Sequence, residues 1–217
     1  MILYDLPAGM HPRRVRIFLA EKGVSLPTKV VDAANGENKT DDFLRMNPMG
    51  RLPVLQLDDG TAIAESLAIC RYIETLHPQP PLWGEGPLDA TRVDMWTRRM
   101  EQQISTPIAD IFRHSGDFYR GRIVQVPAYA EWLREQVVLN LKWLDGELAG
   151  RRFIAGSHYT MADIVAQCAF VLGKAVGIRI PPEHTHLTVW FSEEIGRDTS
   201  ELQSHSDLVC RLLLEKK

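Results

Sequence analysis

The chain has 217 residues, 45% of them hydrophobic and 24% charged, which is the balance of an ordinary soluble globular protein. Its 25 basic and 28 acidic side chains give a net charge of -3, spread almost evenly along the chain, so no basic face for nucleic acid is expected. At this length roughly 70–75% of the unfolded surface is buried on folding, so neither disulfides nor a structural metal are required.

Cys70, Cys168 and Cys210 stand far apart, with no CxxC or zinc-type spacing. That argues against a dithiol oxidoreductase and fits a reducing compartment. The opening residues lack a basic region followed by an apolar run, and nothing approaches 18 consecutive apolar residues. Neither a signal peptide nor a membrane span is expected, and the expected location is the cytoplasm.

In chain order, Ile2 to Asp5 is a short apolar strand ended by Pro7 and Gly9. Val15, Phe18 and Leu19 recur at helical spacing in PRRVRIFLAEKG, and Gly23 is placed to end that helix. Thr28 to Val31, rich in β-branched residues, predicts a second strand, parallel to the first across a βαβ unit. Asn35 to Thr40 reads as a polar loop. Pro53 to Leu57 and Thr61 to Ala64, joined by Asp58-Asp59-Gly60, predict a hairpin. Ser66 to Leu76 follows as a helix with Leu67, Cys70 and Ile73 on one face.

His77 to Pro87 then concentrates Pro78, Pro80, Pro81, Pro87, Gly84 and Gly86, the composition of a linker. Beyond it the pattern is helical. Val93, Trp96, Met100, Ile104, Ile108 and Ile111 share one stripe, with a kink expected at Pro107. Val137, Leu141, Leu144 and Leu148 make another. Thr160-Met161-Ala162-Asp163 is a capping-box variant opening an apolar helix through Leu172, with Tyr159 and Ile164 as its staple. The predicted organisation is a small α/β domain over residues 1–78, a linker over 79–87 and an all-helical domain over 88–217.

Three loops carry residues suited to chemistry, each with two readings. Pro53 is either an edge-strand proline, which spacing alone favours, or a cis proline that turns the Leu52 amide and carbonyl outward to grip an extended backbone. Glu65-Ser66 is either a simple helix start or the site of an α-amino acid head group. In that second reading Glu65 pairs with an ammonium, while Ser66 and the helix amides hold a carboxylate. In Ala8 to Arg14, Pro12 suits the first helical position and makes His11 the cap. The amides and side chains of Arg13 and Arg14 form an electropositive point for a thiolate or phosphate, or merely a solvated βα turn.

Other candidates read as structural. His184 and His186 lack a third ligand nearby, so no metal site is expected. Cys70 lies on an apolar stripe and reads as packing. Trp96, Met100, Phe112, Phe118 and Tyr119 read mostly as packing, with an apolar acceptor pocket as the other reading. Asp163 is a helix cap whose loss is expected to cost about 1 kcal/mol or somewhat more.

Taken together, Asn47-Pro48-Met49-Gly50-Arg51-Leu52-Pro53-Val54-Leu55, Ala64-Glu65-Ser66 and Thr160-Met161-Ala162-Asp163 form an ordered set. Over nearly its whole length the chain resembles the glutathione S-transferase superfamily. PRRVRIFLAEKG, with EHTHL and Trp190, resembles its bacterial and fungal theta-like branch. The resemblance implies a thioredoxin-like N-terminal domain joined to an all-α C-terminal domain. It implies glutathione as co-substrate, with a cis Pro53, the Leu52 backbone on the cysteinyl part and Glu65 and Ser66 on the γ-glutamyl end. It further implies a small apolar electrophile as second substrate and a two-fold homodimer.

One departure stands out. Leu6, Gly9, Met10 and His11 occupy the positions where the family carries a catalytic Ser, Tyr or Cys. Tyr4 has a hydroxyl but is expected to pack inside its strand. In one account the helix N-terminus, His11 and Arg13 activate the thiol. In others the chain is a glutathione-dependent lyase, reductase or peroxidase, or a non-catalytic adaptor that binds a protein partner.

Overall fold

A computed structural model describes residues 1–202 as two compact units, Met1–Leu82 and Trp83–Thr199. Cys210 lies outside the described residues. The small unit opens with β1 (Ile2–Asp5), α1 (Met10–Glu21) and β2 (Thr28–Val30), and the two strands pair in parallel, as the βαβ pattern requires. A short helix follows, α2 (Asp41–Met46), capped by the Thr40 hydroxyl, which accepts from the Phe43 N–H at 3.4 Å. Its 6 residues are too few to leave a period in the sequence. β3 (Val54–Gln56) and β4 (Ala62–Ala64) form the expected antiparallel hairpin, and α3 spans Ser66–Leu76.

The sheet order is β2-β1-β3-β4, with β1 antiparallel to β3. On one face Val31, Phe43 and Val54 form a buried cluster against which Tyr4, Met46, Leu52 and Ala62 pack. Side chains alternate along a strand, so Leu3 and Leu55 turn to the opposite face. There α1 and α3 pack together through wholly buried positions such as Val15, Phe18, Ile69 and Ile73.

Two cations of α1, Arg14 and Arg16, and Lys22 at its C-cap tie the unit together. Arg16 donates to the Asp5 carboxylate at 2.6 Å and to the Pro7 carbonyl at 2.8 Å. Arg14, buried at 1% exposure, donates to the Ser66 hydroxyl at 3.4 Å. Lys22 pairs with Glu74 at 2.6 Å, donates to the Pro80 carbonyl and lies 5.4 Å from the Phe18 ring centre.

The second unit is helical: α4 (Gly86–Met100), α5 (Thr106–Ser115), α6 (Pro127–Glu147), α7 (Met161–Ala175) and α8 (Thr185–Leu202). α4 already begins at Gly86 with Pro87 in its first turn, so two residues read as linker belong to a helix. Pro is tolerated there because a first-turn N–H has no intrahelical acceptor. The irregularity expected at Pro107 is instead a π-helical segment, Glu101–Ser105, directly before α5. Pro107 cannot donate to Gln103 four residues back, and Asn140 Nδ2 on α6 supplies that carbonyl with a bond at 2.9 Å.

α7 is buried almost throughout, and Asp163 in its first turn is the polar centre of the unit. Its carboxylate accepts from Ile154 N at 2.9 Å, Thr160 N at 3.0 Å, Thr160 Oγ1 at 2.9 Å and Trp190 Nε1 at 2.9 Å. The capping box is therefore only half of its role, because the same side chain also fixes the preceding loop and α8. Nearby, Gln167 accepts from the Tyr159 hydroxyl at 2.8 Å and donates to the Glu194 carbonyl at 3.0 Å.

Removing the Asp163 carboxylate strands several buried donors at once. Asp163→Ala should therefore cost about 3–5 kcal/mol in urea unfolding, well above the single-cap figure expected from sequence. Burial pushes the Asp163 carboxyl above its ordinary value, against the four donors that pull it down. A carboxyl whose folded value exceeds its unfolded one contributes stability at low pH and loses it as pH rises through the folded value. The stability difference between the wild type and Asp163→Asn should accordingly shrink as pH is raised from about 4.

Candidate functional site

Register gathers the candidate residues. Tyr4 pairs with Val54 and Val54 with Ala64, and both partners run antiparallel to β3. The C-terminal ends of β1 and β4 therefore flank the N-terminal end of β3. The turn before α1, the Leu52-Pro53 link and the Glu65-Ser66 corner all leave the sheet at this one end.

The Leu52-Pro53 bond is cis. It precedes a strand bonded on both sides, so the edge-strand reading of Pro53 is corrected. Asn47, buried at 4% exposure, builds the approach: its Nδ2 donates to the Arg51 carbonyl at 2.8 Å, and its Oδ1 accepts from Met49 N at 3.2 Å. Gly50 sits at φ +59, and a Cβ there would lie 2.9 Å from the Asn38 carbonyl oxygen. Asn38 Nδ2 donates to the Gly50 carbonyl at 2.7 Å, and Lys39 Nζ to the Met49 carbonyl at 3.3 Å. Neither the N–H nor the C=O of Leu52 has a hydrogen-bond partner among the described residues.

At the next corner Glu65 is exposed and holds φ +69, ψ 119. Among the described residues it is the one non-glycine residue at positive φ. Such backbone costs on the order of 1–3 kcal/mol and persists where surrounding structure imposes it. Glu65 is the N-cap of α3 but makes no side-chain cap bond, and Ser66, 4% exposed, stands one residue inside the helix. An anion arriving here meets a helix N-terminus, a hydroxyl and the Arg14 guanidinium bonded to it.

α1 starts earlier than the sequence pattern indicated. Its cap is Gly9 and its first residue Met10, so His11 is not the cap and Pro12 is the third helical residue. The Arg13 N–H, expected to face a ligand, donates to the Gly9 carbonyl at 3.0 Å as the first intrahelical bond. Pro12 has no N–H. The terminal amides ahead of that bond are those of Met10 and His11, while the His11 and Arg13 side chains stand half-buried on the first turn.

Tyr4 packs as expected, its ring edge-on to Phe43 at 6.3 Å and its hydroxyl donating to Gln56 at 3.1 Å. Cys70 and Cys168 are buried. Trp96 and Met100 are core, whereas Phe112, Phe118 and Tyr119 form a partly exposed trio with ring centres 5.1–6.4 Å apart. His184 is buried and His186 exposed, and no metal-ligating cluster of His, Cys, Asp or Glu occurs among the described residues. No helix among them is long and apolar enough to cross a membrane.

Two family models match the chain, one described as Glutathione S-transferase, N-terminal domain over residues 10–76 and one as Glutathione S-transferase, C-terminal domain over 110–198. Glutathione S-transferase 2 of Saccharomyces cerevisiae is 36% identical over 196 residues, covering 88% of this chain and 84% of its own. The chain belongs to the glutathione S-transferase family. The crystal structure of Gtt2 from Saccharomyces cerevisiae superposes with a TM-score of 0.87 at 33% identity, covering 93% of this chain and all of that one. A stringent starvation protein A homolog from Coxiella burnetii is 29% identical over 184 residues, covering 84% of this chain and 80% of its own.

Of Leu6, Gly9, Met10 and His11, where the family resemblance leads to a hydroxyl or thiol being expected, Gly9 is closed in by its neighbours. A Cβ placed on Gly9 would stand 2.9 Å from both Cδ and Cγ of Pro12 and 3.0 Å from the Leu6 carbonyl oxygen. A proline ring cannot swing aside as the end of a flexible side chain can, so a side chain at the cap of α1 fits only if the turn itself shifts. The sequence shows glycine at position 9 but not that a ring three residues on crowds the space beside it. Its pattern also leaves Arg14 unmarked as a holder of Ser66, although Arg14 lies four residues before Phe18 on the apolar stripe, an odd place for a cation.

Two stability outcomes follow. Gly9→Ala should cost about 1–3 kcal/mol by overpacking, and the Gly9→Ala/Pro12→Ala pair should recover part of it, read as coupling in a double-mutant cycle. Glu65→Gly should gain on the order of 1 kcal/mol, because glycine relieves the positive-φ backbone.

Proposed function

We propose that the chain binds glutathione across this end of the sheet and activates its thiol for attack on small apolar electrophiles. The Leu52 N–H and C=O pair with the cysteinyl backbone, next to Pro53. Glu65 takes the γ-glutamyl ammonium, and Ser66 with the α3 amides takes its carboxylate. The observation that carries this reading is the Glu65-Ser66 corner. There an exposed carboxylate held in costly backbone adjoins a hydroxyl at a helix N-terminus, which matches the two charges of an α-amino acid head group.

The sulfur then lies at the start of α1. A free thiol has a pKa of about 8.5, and a helix N-terminus with nearby cations lowers it. In the reaction the S–H proton passes to the neutral His11 imidazole or to water. Arg13 and the helix terminus stabilise the thiolate, a sulfur–carbon bond forms, and the leaving group departs with its electron pair. A cytoplasmic homodimer completes the reading, and a monomeric mass in solution would remove the dimer from it.

The adaptor reading draws on Gly9, where a side-chain activator would meet the Pro12 ring, and on the relative named as a stringent starvation protein A homolog. Calorimetry with millimolar glutathione should show binding, weakened in Ser66→Ala. No heat in either protein defeats the proposal. The ultraviolet thiolate absorbance of bound glutathione should rise at lower pH than that of the free thiol, and an unshifted curve favours the adaptor. His11→Ala should slow conjugation of an aryl halide, and unchanged turnover would assign activation to the helix terminus.

A further inference from the structure

The geometry points to Arg14 as the positioning residue that aims the Ser66 hydroxyl at the ligand, an inference that rests on the glutathione reading above. Arg14 is 1% exposed and Ser66 4% exposed, and the guanidinium Nη1 stands 3.4 Å from Ser66 Oγ. The two residues are 52 apart in sequence and meet where α1 packs on the start of α3.

The direction of this bond follows from the chemistry of its partners. A guanidinium has five N–H donors and no acceptor, whereas a serine hydroxyl has one proton and two lone pairs. Arg14 therefore occupies a lone pair of Ser66 and cannot take its proton. The proton must point elsewhere, and a positive charge on the oxygen makes the O–H a stronger donor. Ser66 is also one residue inside α3, with Glu65 at the cap, so the hydroxyl is not the capping acceptor. What remains for it is to donate to an oxygen lying beyond the helix N-terminus.

The electrostatics select the same kind of group. The positive end of α3 lies at the same hydroxyl, and a helix N-terminus favours an anion over a cation. Within glutathione the γ-glutamyl α-carboxylate meets that requirement while its ammonium faces Glu65. Arg14 thus acts on the recognition of the γ-glutamyl end and not on the thiol. It should set the preference for glutathione over Cys-Gly, the dipeptide that keeps the thiol and glycine but lacks that end.

The test is the affinity of the full chain for glutathione and for Cys-Gly, measured by calorimetry. The proteins are the wild type, Arg14→Met, Arg14→Lys, Ser66→Ala and the Arg14→Met/Ser66→Ala pair. Arg14→Met and Ser66→Ala should each reduce the preference for glutathione about tenfold with Cys-Gly binding little changed, and the pair should lose no more than either single variant. Should Arg14→Met fail to fold, Arg14→Lys is read instead. It keeps the charge but not the planar fork, and it should lose about threefold of the preference.

A preference retained in the Arg14 variants overturns the inference, and so do losses that multiply in the pair. Equal weakening for both ligands does so too, since it marks a merely structural residue. A wild type that binds glutathione no better than Cys-Gly overturns the γ-glutamyl reading itself, whatever the Arg14 variants do.

Discussion

Tyr4, Val54 and Ala64 stand side by side across β1, β3 and β4, and the candidate site depends on that register. It brings a turn, a cis link and a helix start to one end of a four-stranded sheet, although the turn lies far before the other two in the chain. A slip of one residue would send every side chain of the moved strand to the other face. Leu55 and Val54 would then exchange faces, one belonging with α1 and α3 and the other with the Val31–Phe43 cluster. Burial on both faces therefore fixes the position of the site as firmly as it fixes the core.

The cations of α1 hold what the register brings together. Arg16 closes the β1–α1 turn on Asp5 and Pro7, Arg14 reaches the start of α3, and Lys22 ties the far end of α1 to Glu74 and Pro80. A planar guanidinium suits the first two tasks because it can serve a carboxylate and a carbonyl, or a hydroxyl, without reorienting. These contacts are part-buried or buried, so solvent screens them less than the exposed surface pairs, such as Asp42 with Arg45. The helix whose N-terminus opens the candidate site is thus anchored at both ends by charge as well as by its apolar stripe.

The helical unit solves a different problem. α7 has almost no exposed face, so its polar N-terminus must be satisfied from within. Asp163 does this for its own cap, for the loop at Ile154 and for Trp190 on α8. The π-helical segment before α5 is a second local solution, where Pro107 removes a donor and Asn140 on α6 replaces it. In both places a side chain from one element completes the backbone of another, which binds the helices more specifically than apolar packing alone.

Local features were legible from the residues alone. Alternating and helical spacing gave β1, the hairpin strands and the bounds of α3, and the Thr160–Asp163 box marked the start of α7. Family resemblance supplied the cis bond at Pro53, which spacing alone assigned to an edge. Relations between distant residues emerged with the folded chain: Arg14 with Ser66, Pro12 crowding Gly9, Asn140 with Gln103, and the further donors on Asp163. Periodicity records which face of an element is apolar. It does not record which partner that face meets, because the partner is chosen by register and packing across tens of residues. For the same reason the start of α1 lay two residues earlier than Pro12 suggested: a missing N–H is tolerated throughout the first turn, and the bond from Gly9 to Leu6 sets where that turn begins.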